Sequence, residues 1–286
     1  EVETRQKRAA GATKPDQADI KGKIVEFAFK LKKEGYKRNT IESYSTILKT
    51  LARKGANLLD PESVKETIAN QSITDTTKHN YVNTYDAFAK IMGYYWKKPK
   101  YKPNERIPFI PTESEIDQII YGTGKKLSAA LRIAKETAMR IGEIVRLRWI
   151  DVNPKNNLIV INNPEKGSKA GIYKVSNELM SMIMSLPKTS ERIFPTSVKP
   201  LVSRFCQTRK RLARKYNNPR LLRITFHTLR HWKATTEYHK TKDILHVKEL
   251  LRHRNIENTM IYITLEKQLF KSQSNENFHV KVAKNI

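Results

Sequence analysis

The sequence predicts a mainly α-helical protein of two domains, with a small antiparallel β-sheet in the second domain. Apolar residues recur at helical spacing along most of the 286 residues. A segment that holds four prolines interrupts this pattern near residue 100, and two short apolar runs near residues 160 and 173 have the composition of strands. A chain of this length can bury two hydrophobic cores of ordinary size.

The first domain is predicted to be a bundle of four helices over residues 19–96. Residues 1–18, which precede it, are polar and are interpreted as a mobile arm. The predicted helices are one that ends at Gly35, one from an Asn39 cap to Gly55, one from an Asp60 cap to Ala69 with Pro61 as its first residue, and one from about Asp75 to Tyr95.

The second domain is predicted over residues 112–265, after a linker at residues 97–111. The linker is rich in proline and basic residues, and such a segment is extended and semi-rigid. Thr112 and Glu115 form a capping box that starts the domain. Helices are predicted at 127–138, 142–149, 177–184, 198–215, 227–239 and 243–252, strands at 157–162 and 172–175, and a C-terminal tail at 266–286.

The charge balance favours nucleic acid as the partner. The chain has 55 Lys plus Arg against 28 Asp plus Glu, which gives a formal net charge of +27. Such an excess attracts polyanions. A heat-adapted surface and a surface for anionic membranes are the alternatives. Heat-adapted surfaces gain Glu together with Lys, whereas this chain has about half as many acidic as basic residues. No stretch approaches the roughly 18 apolar residues of a membrane span, so no membrane partner is expected.

The sequence gives no sign of a cofactor or a metal. Cys206 is the single cysteine, which excludes a disulfide within the chain and fits a reducing compartment. His, Asp and Glu show no metal-ligand spacing, and neither a Walker loop nor a G-x-G-x-x-G motif is present. We therefore expect chemistry by side chains alone.

The candidate catalytic residues are concentrated in the stretch from Phe226 to Ile263. His227 and Arg230 lie three residues apart, so they share one face of a helix. His253 closes the next helical segment, and Tyr262 follows nine residues later. Arginine and histidine that converge on a tyrosine hydroxyl suggest nucleophilic attack on a phosphate, because guanidinium binds phosphate oxygens in pairs.

These motifs resemble those of the tyrosine recombinase (phage integrase) family. Within that family the resemblance is to Xer-like members, and it suggests an archaeal or viral integrase. The resemblance lies in H-x-L-R-H, in L-x-H with a tyrosine nine residues on, and in the upstream segment ETAMRIGEIVRLRWID at 136–151. The motifs occur in the family's order and span most of residues 113–265. The N-terminal third resembles the family's core-binding, DNA-binding domain only in size and helical character.

The resemblance implies a set of roles for the reaction on double-stranded DNA. Tyr262 attacks the phosphorus and leaves a 3′-phosphotyrosyl bond and a free 5′-hydroxyl. Arg140 and Arg230 hold the non-bridging oxygens, and His227 and His253 add hydrogen bonds to them. A tyrosine titrates near ~10, so the cations around Tyr262 must favour its phenolate. No metal or ATP is required, because the intermediate conserves the energy of the broken bond.

A lysine on a hairpin turn supplies the proton to the leaving 5′-oxygen in this family. Lys166 matches it, with Lys169 as the second candidate. Glu143 matches the acidic residue that orients the cluster. Two positions depart from the family pattern, since Ala138 and Arg252 stand where the family usually has glycine.

The resemblance also implies an assembly. Four protomers would bring two duplexes together and exchange strands through a Holliday junction, with the tail docking on a neighbouring protomer, in the cytoplasm of a prokaryotic cell. Two alternatives stay open from the sequence. One is DNA relaxation by a type IB topoisomerase, and the other is a DNA-binding protein on the same scaffold without catalysis.

Each residue also has a simpler interpretation when taken alone. Arg140 could merely neutralise the dipole at the end of the helix predicted before it. His231, next to Arg230, is interpreted as a helix residue with a satisfied ring. Tyr262 is one of 12 tyrosines. The joint order and spacing of the motifs favour the catalytic interpretation.

Overall fold

A computed structural model describes residues 17–104 and 107–267. The chain divides into two compact units on either side of the boundary between residues 106 and 107, and this boundary lies inside the segment predicted as a linker. Most described residues are helical and one small antiparallel sheet is present, so the predicted fold class is confirmed. No helix within these ranges is both long and apolar enough to span a membrane.

The first unit consists of four helices around one core. They are α1 (Gln17–Lys33), α2 (Arg38–Arg53), α3 (Pro61–Ala69) and α4 (Asp75–Met92). Phe27 and Phe88 are fully buried between them and meet edge to face, with ring centroids 5.3 Å apart. Tyr85 is also buried, and its hydroxyl donates to the carbonyl of Leu58 at 3.0 Å. The predicted cap of α3 is present, because Asp60 accepts a hydrogen bond from the N–H of Glu62.

Three predicted boundaries in this unit were wrong by a few residues. Gln17 already belongs to α1, so the predicted arm is too long by two residues, and residues 1–16 lie outside the described ranges. α2 is capped by Lys37 rather than Asn39. α4 stops before Tyr95 because Gly93, at φ 80°, takes the left-handed conformation that ends a helix.

The second unit contains the remaining helices and the sheet. They are α5 (Glu113–Tyr121), α6 (Lys125–Thr137), α7 (Ile141–Arg146), β1 (Val152–Asn153), β2 (Leu158–Ile161), β3 (Gly171–Lys174), α8 (Asn177–Met184), α9 (Val198–Lys215), α10 (Phe226–Thr241), α11 (Ile244–Leu251) and α12 (257–267), with short 3₁₀ segments at Trp149–Asp151 and Pro219–Arg223. The sheet has the order β1-β2-β3, with Ile159 opposite both Val152 and Tyr173.

The core of the second unit holds the end of α6 beside α10. Leu131 and Ile133 of α6 and Leu229 of α10 are almost fully buried in one cluster. At the start of the unit, the predicted capping box is confirmed: Thr112 accepts from the N–H of Glu115, and the Glu115 carboxylate accepts from the N–H of Thr112. The packing of α6 on α10 brings the segment at 136–151 and the motif that begins at His227 to one place in the unit.

Several predicted elements of the second unit need correction. α7 ends at Arg146, so Trp149 lies in a 3₁₀ turn rather than in a helix. Strand β1 was not predicted. Helix α12 was not predicted either, and it continues past residue 266, where the tail was expected to begin; Leu265 and Glu266 are both buried. The rest of the predicted tail, from residue 268, lies outside the described ranges.

Candidate active site

An open pocket of about 420 Å³ in the second unit collects polar side chains from the junction between α6 and α7, the β2–β3 hairpin, α10, the segment after α11, and α12. None of the described residues that line it is acidic, and four are lysine or arginine. The lining residues are Arg140, Lys166, Ser168, His227, Arg230, His231, His253, Arg254, Asn255, Asn258 and Tyr262. A pocket with this lining suits an anion.

Arg140 is placed by the sharp junction between α6 and α7. Ala138 ends α6 with a left-handed backbone at φ 55°, which is the conformation that glycine adopts most easily. Arg140 then caps the N-terminus of α7, and its Nη1 donates to Ser168 Oγ at 2.7 Å. A cation gains nothing from the dipole at a helix N-terminus. Arg140 also lies only two residues after Ala138, which ends α6, so its interpretation as a charge near a helix C-terminus stays a prediction.

Arg230 is buried and joins two helix ends. Its side chain donates to the carbonyl of Ala138 at the end of α6 and to that of Leu251 at the end of α11. Only 2% of the residue is exposed. Burial and the nearby charge of Arg140 lower the pKa of Arg230 to about 10, so it stays protonated at neutral pH. Arg230 therefore presents a fixed positive charge to the pocket.

Three histidines surround this charge. His227 and His231 are one turn apart on α10 and their rings meet edge to face, with centroids 4.4 Å apart. Partial burial, followed by the charges of Arg230, Lys166 and Arg140, lowers the pKa of His227. Burial, followed by nearby positive groups, lowers the pKa values of His231 and His253 to about 4. These rings are therefore neutral at pH 7.

Tyr262 lies on the first turns of α12, on the same chain as the other groups. It is 2% exposed and packs in a small apolar cluster with Ala234 and Leu251. Its hydroxyl lies 3.1 Å from Nδ1 of His231. Burial raises the pKa of Tyr262 to about 12, although the charges of Arg230 and Arg140 act in the opposite direction. In this state the phenol is protonated.

The hairpin between β2 and β3 distinguishes the two candidate lysines. Lys166 and Gly167 both have positive φ, at 51° and 67°, and the N–H of Ser168 donates to the carbonyl of Glu165 across the turn. Lys166 lines the pocket. Lys169 does not line it, and its carbonyl accepts a hydrogen bond from Arg252. The turn geometry thus favours Lys166.

Glu143 lies behind the pocket with a side chain that is fully buried. Its carboxylate accepts from the backbone N–H groups of Arg140 and Glu165 and from the guanidinium of Arg252, and Arg140 Nη1 lies 3.5 Å away. Burial by itself would raise the pKa of Glu143, but these donors and charges lower it, so the carboxylate is ionised. Such a group orients its neighbours and has no proton to give.

His253 is held by the turn after α11 and by α12. Its backbone N–H donates to the carbonyl of Lys248, and its ring Nδ1 lies 3.0 Å from Thr259 Oγ1. A hydrogen bond at Nδ1 fixes the orientation of the ring. The turn passes through Arg252, whose φ is 55°, in place of the expected glycine.

The predicted site residues thus lie together, and the sequence missed others. Tyr262, Arg140, Arg230, His227, His253 and Lys166 line one pocket, and Glu143 lies behind it. His231, Ser168, Arg254 and Asn258 were not predicted to belong to the site. His231 lies four residues after His227, so helical spacing alone placed it on the same face. No pattern in the sequence indicated that Tyr262 would lie against it.

Comparisons with known proteins identify relatives of this chain. Residues 112–268 match the phage integrase family. The chain is 26% identical over 251 residues to tyrosine recombinase XerA from Pyrococcus horikoshii, covering 84% of this chain and 87% of that protein. Among solved structures, it resembles the Tn1549 transposon integrase in complex with transposon right end DNA (TM-score 0.65, 15% identity, 84% of this chain and 94% of that one) and lambda integrase bound to DNA (TM-score 0.61, 17% identity, 82% and 91%).

Proposed function

Because this chain belongs to the phage integrase family, we propose that it is a site-specific tyrosine recombinase that uses Tyr262 to break and rejoin double-stranded DNA. The observation that supports this proposal best is the pocket itself. It combines a buried tyrosine hydroxyl with four lysine and arginine side chains and three histidines, and none of its described lining residues is acidic. A phosphodiester in the pocket would meet only positive or neutral groups.

The reaction assigns a step to each side chain. Tyr262 Oη attacks the phosphorus and passes its proton to Nδ1 of His231, and the electron pair of the breaking P–O5′ bond goes to O5′. Lys166 gives O5′ a proton. Arg140 and Arg230 bind the non-bridging oxygens, where charge accumulates in the transition state. The reverse step, in which a 5′-hydroxyl attacks the phosphotyrosyl bond, rejoins the strand.

The histidines act as neutral groups in this scheme. A neutral ring can donate from one nitrogen and accept at the other. His253 uses Nδ1 with Thr259, which leaves Nε2 to donate to a phosphate oxygen. His231 is the hydrogen-bond partner of the Tyr262 hydroxyl, and the ring of His227 meets the ring of His231 edge to face. The phenol proton therefore has a neutral acceptor beside it.

DNA binding and assembly belong to the same proposal. A net charge of +27 suits a polyanion, and the solved structures that resemble this chain include complexes of integrases with DNA. We propose that residues 19–96 and 112–265 act as the core-binding and catalytic domains, that four protomers exchange strands on two duplexes through a Holliday junction, and that the C-terminal tail docks on a neighbouring protomer. The site of action is the DNA of a prokaryotic cell.

A covalent-capture experiment tests the chemistry. The full chain is incubated with nicked suicide duplexes of random sequence, and denaturing electrophoresis then detects a protein–DNA adduct. We expect wild-type protein to form an adduct, Tyr262→Phe to form none, and peptide mapping to place the DNA on Tyr262. Tyr238→Phe is the matched control, because Tyr238 packs against the same apolar cluster without lining the pocket.

The same experiment distinguishes the two alternatives, which the relatives do not favour. Tight binding without any adduct would identify a DNA-binding protein that does not catalyse. If an adduct forms, the mapped site is placed in two plasmids. Joining of the plasmids indicates recombination, whereas loss of supercoils without joining indicates a topoisomerase.

A further inference from the structure

A buried ion pair between Arg252 and Glu143 lies directly behind the pocket. Arg252 Nη2 donates to Glu143 Oε2 at 2.5 Å, and only 5% and 0% of the two side chains are exposed. Each of these charges would be costly to bury without the other. The two residues are 109 positions apart, so the pair holds the start of α7 to the turn that follows α11.

The two members of this pair hold opposite sides of the hairpin turn that carries Lys166. Glu143 Oε1 accepts from the N–H of Glu165 at 3.0 Å, just before Lys166. Arg252 Nη1 donates to the carbonyl of Lys169 at 3.0 Å, just after the turn. Lys166 itself has a left-handed backbone at φ 51°, which an L residue keeps only when its surroundings hold it there. The location of the Lys166 side chain therefore depends on both anchors.

Arg252 also contacts strand β3, which follows the turn. Its Nε donates to the hydroxyl of Tyr173 at 2.8 Å, and that hydroxyl donates in turn to the carbonyl of Leu250 at 3.0 Å. A Cβ at Gly171 would lie 2.8 Å from Arg252 Cδ, so glycine at this position makes room for the arginine. One side chain thus connects the hairpin, α7 and the end of α11.

We propose that Arg252 is a positioning residue that sets Lys166 against the leaving 5′-oxygen. At φ 55°, position 252 would suit glycine, and an arginine there is strained. Its bonds to Glu143, Lys169 and Tyr173 give a physical reason for an arginine at this position. The inference rests on the proposed function, because it assigns Arg252 to the proton transfer within that reaction.

The chemistry of the leaving group distinguishes a role of Arg252 in positioning Lys166 from a general role in the fold. When the P–O5′ bond breaks, O5′ takes the electron pair and needs a proton from Lys166. If sulfur replaces the bridging O5′, the leaving group departs as a thiolate, because thiols titrate near ~8.5 and need no proton at neutral pH. A defect confined to Lys166 is thus relieved by sulfur, whereas a defect in the fold is not.

The experiment measures single-turnover cleavage of two matched duplexes by the full chain. Both carry the attachment site mapped for the wild type, one with oxygen and one with sulfur at the bridging 5′ position. The variants are Arg252→Gln and Arg252→Lys, with Lys166→Ala as the reference. Arg132→Gln is the matched control, because Arg132 also forms a shielded ion pair, with Glu136 at 2.8 Å, but does not line the pocket.

The readout is the ratio of the sulfur rate to the oxygen rate, because a loss of folded protein lowers both rates equally. We expect Arg252→Gln to cleave the oxygen duplex up to about 100-fold more slowly than the wild type, as for a misplaced catalytic group. The same variant should cleave the sulfur duplex at close to the wild-type rate, as Lys166→Ala should. Arg252→Lys should raise the ratio less, and Arg132→Gln should leave it unchanged.

The outcomes separate this inference from the proposed function. A wild-type ratio in both Arg252 variants, whether or not their rates fall, would overturn the positioning role. A raised ratio in Arg132→Gln as well would overturn it too, because any lost ion pair would then have the same effect. If wild-type protein forms no adduct with the random-sequence suicide duplexes used to map the site, the proposed function itself fails.

Discussion

The hydroxyl of Tyr262 and Nδ1 of His231 lie 3.1 Å apart, which places a neutral imidazole against the proposed nucleophile. The pKa of His231 is lowered to about 4 and that of Tyr262 is raised to about 12, in both cases chiefly by burial. The phenol is therefore protonated and the ring is neutral at pH 7, so the phenol can donate to the ring. This hydrogen bond orients Tyr262 before any DNA is bound.

Loss of this hydrogen bond should slow cleavage without weakening DNA binding. His231→Phe keeps an aromatic ring but removes the acceptor, so Tyr262 loses its fixed orientation. We expect single-turnover cleavage to slow by up to about 100-fold, as for other misplaced reacting groups. Gel-shift affinity at fixed salt should stay close to that of the wild type. His246→Phe, on the outer side of α11, is the control, and an unchanged rate in His231→Phe would contradict the assigned role.

Loss of Arg140 and loss of Arg230 should both impair cleavage but should differ in their effect on stability. Arg140→Ala should reduce cleavage by at least about 100-fold, as for the loss of one transition-state donor, with little change in the free energy of unfolding. Arg230→Ala should abolish cleavage and also destabilise the protein, because it leaves the buried carbonyls of Ala138 and Leu251 without their donor, at about 1–3 kcal/mol each. Cleavage assays and chemical denaturation measure the two effects.

DNA binding is the control for both arginine variants. Most of the affinity for duplex DNA comes from contacts along the phosphate backbone, so one lost contact changes it little. If binding and cleavage fall by the same factor in Arg140→Ala, Arg140 does not act at the scissile phosphate.

Substitution of the two hairpin lysines, Lys166 and Lys169, should have different effects on the rate of cleavage. Lys166→Ala should slow cleavage by about 100-fold to 10,000-fold, the usual contribution of a general acid, because Lys166 lines the pocket. Lys169→Ala should remain close to the wild type, because Lys169 contributes its carbonyl to Arg252 and the substitution retains that carbonyl. Rates on the same suicide duplex provide the comparison. A larger loss in Lys169→Ala would reverse the assignment.

The depressed histidine pKa values predict loss of stability in acid. His231 and His253 stay neutral in the folded protein down to about pH 4, whereas unfolded histidine titrates near ~6.5. Between these values the unfolded chain binds more protons, so the free energy of unfolding falls as the pH falls from about 6.5 to 4. Their contribution is complete above pH 6.5.

Denaturation over that pH range tests the sign. His231→Phe removes one of the two groups, so its free energy of unfolding should decline less steeply with falling pH than that of the wild type. At pH 8 the histidines of both the wild type and His231→Phe are neutral. The difference in free energy of unfolding that remains between the two proteins at this pH therefore reports packing alone. Equal slopes in the two proteins below pH 6.5 would refute the linkage.

The sequence indicated the site residues better than it indicated their environment. His227 and Arg230 were recognisable because they belong to the H-x-L-R-H motif of the family and helical spacing placed them on one face, and Thr112 with Glu115 because a capping box is local. Lys166 and Lys169 could not be separated, since a turn may slide by several residues without changing its composition. His231 looked like an ordinary helix residue because its partner, Tyr262, is 31 residues away.

The sequence by itself determined the helical fold class, the order of the motifs and the kinds of side chain brought to a phosphate, because these depend on local periodicity and residue chemistry. The tertiary structure decided which groups touch. It placed Tyr262 on a helix against His231, put Lys166 rather than Lys169 in the lining of the pocket, and gave Arg252 a buried partner in Glu143. Such pairings depend on how distant segments pack, and burial then sets their pKa values, which no local pattern encodes.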